Sequence, residues 1–268
     1  MGVVNVTPDS FSDGGRFLDS DAAVAHALQL IADGADILDI GGESTRPHAG
    51  PVGEADEIAR VVPVIEAVRR ESPIAISVDT MKPAVARAAI AAGASIWNDV
   101  TALAFAPDSQ AEAAALGCEV VLMHMQGEPG TMQDDPRYDD VVEEVRAFLS
   151  ARAEAAVAAG VRRQDILLDP GIGFGKRLEH NLELLRNLGR IADLGFPIVL
   201  GVSRKRFIRA IDPAGSEAVD RLGGSLAAAL WGARHGAAIL RVHDVRETVQ
   251  ALKVWEAIEG DYDMSRSG

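Results

Sequence analysis

The chain contains a series of short runs rich in Val and Ile, and nearly every run ends in a residue able to do chemistry. Asn5 closes the first run. Asp39 closes the second, which continues through Glu43, Thr45 and Arg46. Asp79 follows the third run, Asn98 and Asp99 the fourth, His124 the fifth and Asp169 the sixth. The seventh leads into Ser203, Arg204 and Lys205, and the eighth holds Arg241 and His243. Lys205, Arg241, His243 and Arg46 form a cationic set, and Arg with Lys suits a phosphate or pyrophosphate. The Ser-Arg-Lys-Arg segment opens a helix, whose first backbone N–H groups could face the same anion. Asp79, Asn98 and Asp169 have the opposite chemistry. Carboxylates and an amide can read a flat heterocycle whose edge presents N–H donors. Such a site rejects analogues lacking those donors, because its own buried groups would be left unpaired. Helix N-caps also favour Asn, Asp and Ser, and Asp99 fits that role best. Capping does not account for Lys205, Arg241 or His243.

Other patterns point away from common chemistries. Gly171-Ile-Gly173-Phe-Gly175-Lys176 is neither GxGxxG nor GxxxxGK[ST], and Arg177 stands where Ser or Thr would be needed. Its glycines are expected to let backbone approach a flat ligand. No HExxH and no Cys/His cluster suggests a structural zinc site. His124, between two methionines, is expected to be a hydrogen-bonded core histidine, with Met123 beside it packing against a ring. Cys118 precedes an apolar run and is expected to be a small core residue, because a nucleophilic thiol needs an electropositive setting.

The apolar runs cover residues 3–6, 36–40, 74–78, 95–97, 119–123, 166–168, 197–200 and 238–242. Segments of helical period lie between them. Val24, Ala27, Leu28 and Ile31 follow the i, i+3, i+4, i+7 spacing of one helix face. Ser20 is the expected cap of that helix and Gly34 its end. Leu178, Leu182, Leu185 and Leu188 repeat the spacing, as do Val245, Val249, Leu252 and Trp255. Alternating β and α segments predict a parallel sheet. Eight such pairs in 268 residues predict closure into an α/β, (β/α)₈ TIM barrel, with a doubly wound sheet as the alternative. Residues 1–259 form one barrel on this reading, and 260–268 a polar C-terminal tail. Loops at 7–19, 41–53 and 125–136 each follow a strand. They should therefore stand on the barrel's C-terminal face, where such folds hold their active sites.

Composition sets the outer limits. The apolar fraction is 48% and the charged fraction 25%, ordinary for a globular protein. A net charge of −14 and 4% aromatic residues argue against a nucleic-acid or anionic-membrane partner. One cysteine excludes an intrachain disulfide. No signal peptide or membrane-length apolar run is visible, so a cytoplasmic enzyme is expected.

With these residues assembled, the chain resembles the dihydropteroate synthases, a family of pterin-binding TIM barrels. The resemblance rests on Val-Asn-Val-Thr-Pro-Asp-Ser-Phe-Ser-Asp-Gly-Gly starting at Val4, and on Gly-Gly-Glu-Ser-Thr-Arg-Pro starting at Gly41. Shorter matches are Ser-Val-Asp-Thr ending at Thr80, Asn98-Asp99, Met-His-Met-Gln-Gly from Met123 and Asp-Pro-Gly-Ile-Gly-Phe-Gly-Lys from Asp169. Gly-Val-Ser-Arg-Lys from Gly201 and Arg-Val-His-Asp-Val from Arg241 complete the set. It implies a transferase of folate biosynthesis, inhibited by sulfonamides. The reaction joins 6-hydroxymethyl-7,8-dihydropterin pyrophosphate to 4-aminobenzoate and releases pyrophosphate, with Mg²⁺ as cofactor.

By position, the resemblance assigns the pterin to Asp79, Asn98, Met123, Asp169, Gly201 and Lys205. It assigns pyrophosphate to Asn5, Thr45, Arg46, Arg241 and His243, with Asn5 also at the metal. The aminobenzoate pocket falls to Thr45, Pro47, Phe174, Ser203 and Lys205. The reaction itself falls to Asp79, Asp169, Lys205, Arg241 and His243. A homodimer is also implied, with Trp231 and Trp255 as interface candidates. The family usually has a short lead before its first signature, and this chain begins almost inside strand one. Two alternatives stand beside this reading: a non-catalytic pterin-binding paralogue, and a barrel like the methyltetrahydrofolate:corrinoid methyltransferases. The latter needs no pyrophosphate clamp, so Arg241, His243 and the Thr-Arg-Pro loop argue against it.

Overall fold

The computed structural model describes residues 1–6, 15–43, 50–127 and 130–260, with side chains in the first helix described from Ser20 onward. Eight strands form one parallel sheet in chain order: β1 (Gly2–Asn5), β2 (Ile37–Gly41), β3 (Ala75–Asp79), β4 (Ile96–Asp99), β5 (Glu119–Met123), β6 (Ile166–Asp169), β7 (Ile198–Gly201) and β8 (Ala237–Arg241). The sheet closes on itself. Gly2 bridges Val242 in parallel, Val3 N donates to Val242 O, and Val242 N donates to Met1 O. The expected TIM barrel is therefore the fold.

Helices α1 (Gly15–Ala32), α2 (Glu54–Glu71), α3 (Pro83–Ala91), α4 (Ser109–Leu116), α5 (Val141–Ala159), α6 (Leu178–Arg186), α7 (Leu188–Ala192), α8 (Arg206–Ile211), α9 (Leu222–Arg234) and α10 (Val245–Glu259) wrap the barrel. Local chemistry sets several of their ends. Asp140 caps α5 by accepting from Val142 N and Glu143 N, and Gly160 ends it in the left-handed region at φ 110°. Two helical details differ from expectation. α1 begins at Gly15, so Ser20 lies inside the helix and is not its cap. The segment from Arg16 to Asp19 contains no proline or glycine, so nothing in it stops the helix from extending towards the chain start. The leucine repeat from Leu178 to Leu188 is split at Asn187 into α6 and α7.

Side chains alternate across each strand, so a period of two sorts them into barrel interior and outer face. Leu38, Ile40, Ile76, Val78, Trp97, Val120, Leu122, Leu168 and Leu200 face outward into the main core beneath the helices. Each fully buried aliphatic chain there contributes about 1.5–3 kcal/mol. Ile96, Val121, Leu167 and Val199, with Met1, fill the barrel's interior as a second cluster. One step further along each strand, the inward positions become Asn5, Gly41, Asp79, Asn98, Met123, Asp169, Gly201 and Arg241. The interior is thus apolar below and polar at its C-terminal end. Asp99, out of phase with this set, faces away. Its carboxylate accepts from Thr101 N, Thr101 Oγ1 and Leu103 N and so holds the turn after β4; it is not the expected helix cap, since α4 begins only at Ser109.

Candidate active site

A cavity of about 730 Å³ opens at the C-terminal end of the barrel. Asn5, Asp79, Phe174, Ser203, Lys205, Arg241 and His243 all line it. Asn98, Met123 and Asp169 are buried on the same inward layer of strand ends, and Gly201 completes it. The cavity is also lined by Lys176, Asn181, Met132, Gln133 and Arg221, which carried no expected role. Thr45, Arg46 and Pro47 lie outside the described residues.

The floor is an ion network. Arg241 Nε donates to Asp39 at 2.6 Å, and Arg241 Nη2 donates to Asp79 at 2.8 Å. Asn98 Nδ2 sits 3.3 Å from the same Asp39 oxygen and 3.4 Å from the other. Asp39 is fully buried, so its charge depends on these partners. Sequence reasoning noted its position and gave it no role. The signal was present: an acid in the middle of Ile-Leu-Asp-Ile must find a partner inside. Arg241 consequently reaches deeper than a surface clamp, joining the cavity to its buried carboxylates.

Burial dominates the protonation of this layer. It raises Asp79 to about 7, against the lowering effect of Arg241. It also raises Asp169, opposed by the Gly171 N–H, which donates to Asp169 Oδ1 at 2.7 Å, and by Lys205. Lys205 is lowered to about 8, first by burial and then against the pull of Asp169. The Lys205 ammonium lies 4.2 Å from the centre of the Phe174 ring, a cation–π contact. His243 is lowered to about 3 by burial, Arg241 and Arg204. It therefore stands as a neutral imidazole, 3.1 Å from Ser203 Oγ, and not as part of a cationic set. Burial next to permanent guanidinium charge makes a second cation there unfavourable.

The β7–α8 turn is held from three sides. Arg204 adopts φ 58°, its N–H donates to Ser225 Oγ, and Arg221 donates to its carbonyl. Its guanidinium pairs with Asp244 at 2.5 Å. These contacts fix Ser203 and Lys205 on either side of a strained residue.

The glycines after β6 act differently from the expectation. Gly171 and Gly175, at φ 68° and 59°, bring backbone against backbone: a Cβ on either would run into the carbonyl oxygen of His124 or Gln126. The loops after β5 and β6 are in close contact there, so no ligand lies between them. Only Gly173 lines the cavity. His124 is a buried, hydrogen-bonded histidine as expected, with Nδ1 2.9 Å from Lys176 Nζ. Cys118 is buried, which pushes its thiol up to about 11.

The site is therefore a rim carrying Lys205 and Arg241 set over a layer of inward carboxylates and an amide. The family model of pterin binding enzymes matches residues 1–243.

The chain belongs to the pterin-binding enzyme family.

Named members of this family are similar over nearly the whole chain. The dihydropteroate synthase of Haemophilus influenzae is 46% identical over 258 residues, 96% of this chain and 92% of that protein. The Xanthomonas albilineans dihydropteroate synthase, solved with 4-aminobenzoic acid, is 52% identical with a TM-score of 0.90, covering 97% of this chain and 92% of that one. The Yersinia pestis dihydropteroate synthase, solved as a sulfonamide drug complex, is 45% identical with a TM-score of 0.91, covering 97% and 94%. Among the described residues of this family member, no helix is long and apolar enough to cross a membrane.

Proposed function

We propose that this chain is a dihydropteroate synthase, a transferase that condenses 6-hydroxymethyl-7,8-dihydropterin pyrophosphate with 4-aminobenzoate. The observation that carries this reading is the cavity itself, where Arg241 connects an anion-binding rim to the inward Asp79 and Asp39 carboxylates. Neither a methyl-transfer barrel nor a simple pterin carrier needs both halves.

In this reading Asp79, Asn98, Asp169 and Lys205 hold the pterin edge, and Met123 and Gly201 lie against its plane. Asn5, Arg241 and His243 take the pyrophosphate, His243 as a neutral hydrogen-bonding group. Thr45 and Arg46 join them there by the family resemblance. Ser203, Lys205 and Phe174 face the aminobenzoate, with Thr45 and Pro47 assigned to the same pocket. Breaking the carbon–oxygen bond leaves positive charge on the pterin methylene and negative charge on pyrophosphate. Asp79 and Asp169, once ionised, stabilise the first, and Arg241 the second. Preorganised charge of this kind is often the largest catalytic contribution. The arylamine nitrogen then attacks with a lone pair it already has, so no strong general base is required.

Mg²⁺ fits the donor set. Among the described residues no cluster of three or more His, Cys, Asp or Glu side chains could cage a metal, and Asn5 offers a single hard oxygen at the cavity wall. Mg²⁺ typically keeps several waters and relies on substrate phosphates, so one protein oxygen suffices. When bound it would neutralise the leaving pyrophosphate. A cytoplasmic homodimer, inhibited by sulfonamides, completes the proposal. The test is direct: purified protein with both substrates and Mg²⁺ should yield dihydropteroate by mass spectrometry. Well-folded protein that binds the pterin yet makes no product would favour the non-catalytic paralogue.

A further inference from the structure

We propose that Lys176 and His124 are a pair of positioning residues, fastening the loop after β6 to the end of β5 and so setting Phe174 as the aromatic wall for the second substrate. The proposal rests on the reading above that Phe174 faces aminobenzoate.

Lys176 is 3% exposed, and burial lowers it to about 7; in its ammonium form it has three hydrogens to place. All three have acceptors: His124 Nδ1 at 2.9 Å, Phe174 O at 2.9 Å and His124 O at 3.3 Å. One side chain thus ties the Phe174 backbone to the residue that leaves β5. Its partner ring is itself immobilised. His124 meets Phe148 edge-on at 4.9 Å and 87°, and Tyr138 lies 6.1 Å away. Tyr138 in turn donates its hydroxyl to Gly175 O at 2.7 Å. Asn181 closes the loop from the far side, accepting from Gly173 N at 2.7 Å and donating to Arg177 O at 2.8 Å. Burial and the neighbouring ammonium lower the imidazole to about 3. His124 is therefore neutral, with Nδ1 the acceptor and the proton on Nε2.

This arrangement separates the two substrates. Asp79, Asn98 and Asp169 are placed by their strands, in register with their neighbours, and Lys176 reaches Asp169 through its charge. Phe174 stands on the loop, and its backbone carbonyl accepts from Lys176 Nζ. A buried lysine that merely stabilised the fold would affect both substrates alike.

Enzyme shown to make dihydropteroate provides the baseline, so failure of the functional reading would be seen first. Lys176→Met and His124→Leu are each expected to raise the aminobenzoate KM about tenfold, with kcat and pterin Kd within about threefold of wild type. His124→Asn places an amide oxygen near Nδ1 and should restore most of the loss. The double variant should be no worse than Lys176→Met alone. ¹⁵N NMR of wild-type protein gives a check independent of any variant's folding: His124 should carry its proton on Nε2. A proton on Nδ1, an unchanged aminobenzoate KM, or equal weakening of both substrates would overturn the proposal.

Discussion

Asp169 shows how one residue's setting becomes a measurable property. It is buried, and its Oδ1 already accepts from Gly171 N, which leaves the rest of the carboxylate for a ligand's N–H donors. Asp169→Asn presents a donor where an acceptor is needed, so pterin affinity should fall by about 1.5–3 kcal/mol with thermal stability preserved. Calorimetry showing unchanged affinity would remove Asp169 from the site. The pH profile follows from its neighbours. Asp79, raised to about 7, is mainly an ionised carboxylate above that pH, and Lys205, lowered to about 8, is mainly a cation below it. For the pterin substrate, kcat/KM should rise through the first value, fall through the second and form a narrow bell. A plateau from pH 6 to 9 would contradict these protonation states. Most of these residues were legible in the sequence because each ends a strand, and strand ends share one inward phase. Lys176 was not, because its partner His124 lies 52 positions away and only the folded barrel joins them.

At the scale of elements, eight apolar runs separated by helical periods were enough to give the barrel and its active end. The glycine loop after β6 was harder. Glycine signals close approach, but not what approaches. The same residue type serves a flat ligand or a neighbouring backbone, and here Gly171 and Gly175 serve the backbone of the β5 loop. Gly175→Ala should therefore destabilise the protein by about 2–4 kcal/mol, through a left-handed φ and a clash with Gln126 O. Thermal or denaturant unfolding checks this, and a variant as stable as wild type would show that the two loops are not in contact. The start of α1 was misplaced for a related reason. A serine before an apolar stripe resembles a cap, and only the hydrogen-bonded backbone shows that the helix has already begun.

For the whole molecule, a separate apolar cavity of about 460 Å³ lies between α6, α8 and α9, with Phe207, Ile211 and the 44%-exposed Trp231 on its walls. It is an apolar part of the described surface, and for the proposed dimer light scattering at micromolar concentration should return twice the chain mass. A monomer would argue against that assembly and leave the site unaffected, since every described site residue comes from one barrel. That barrel carries a charge of −14 and yet gathers Lys205, Arg204, Arg221 and Arg241 around one cavity. Arg204 and Arg221 hold the β7–α8 turn through Asp244 and backbone carbonyls, so Lys205 and Arg241 are the cations the proposed reading gives to an anionic substrate. The most direct measurement is therefore simultaneous quantitation of pyrophosphate and dihydropteroate from one reaction. With aminobenzoate present, the account predicts the two in equal amounts, both lost in Arg241→Gln. Pyrophosphate in large excess over dihydropteroate at saturating aminobenzoate, or no dihydropteroate at all, would contradict it.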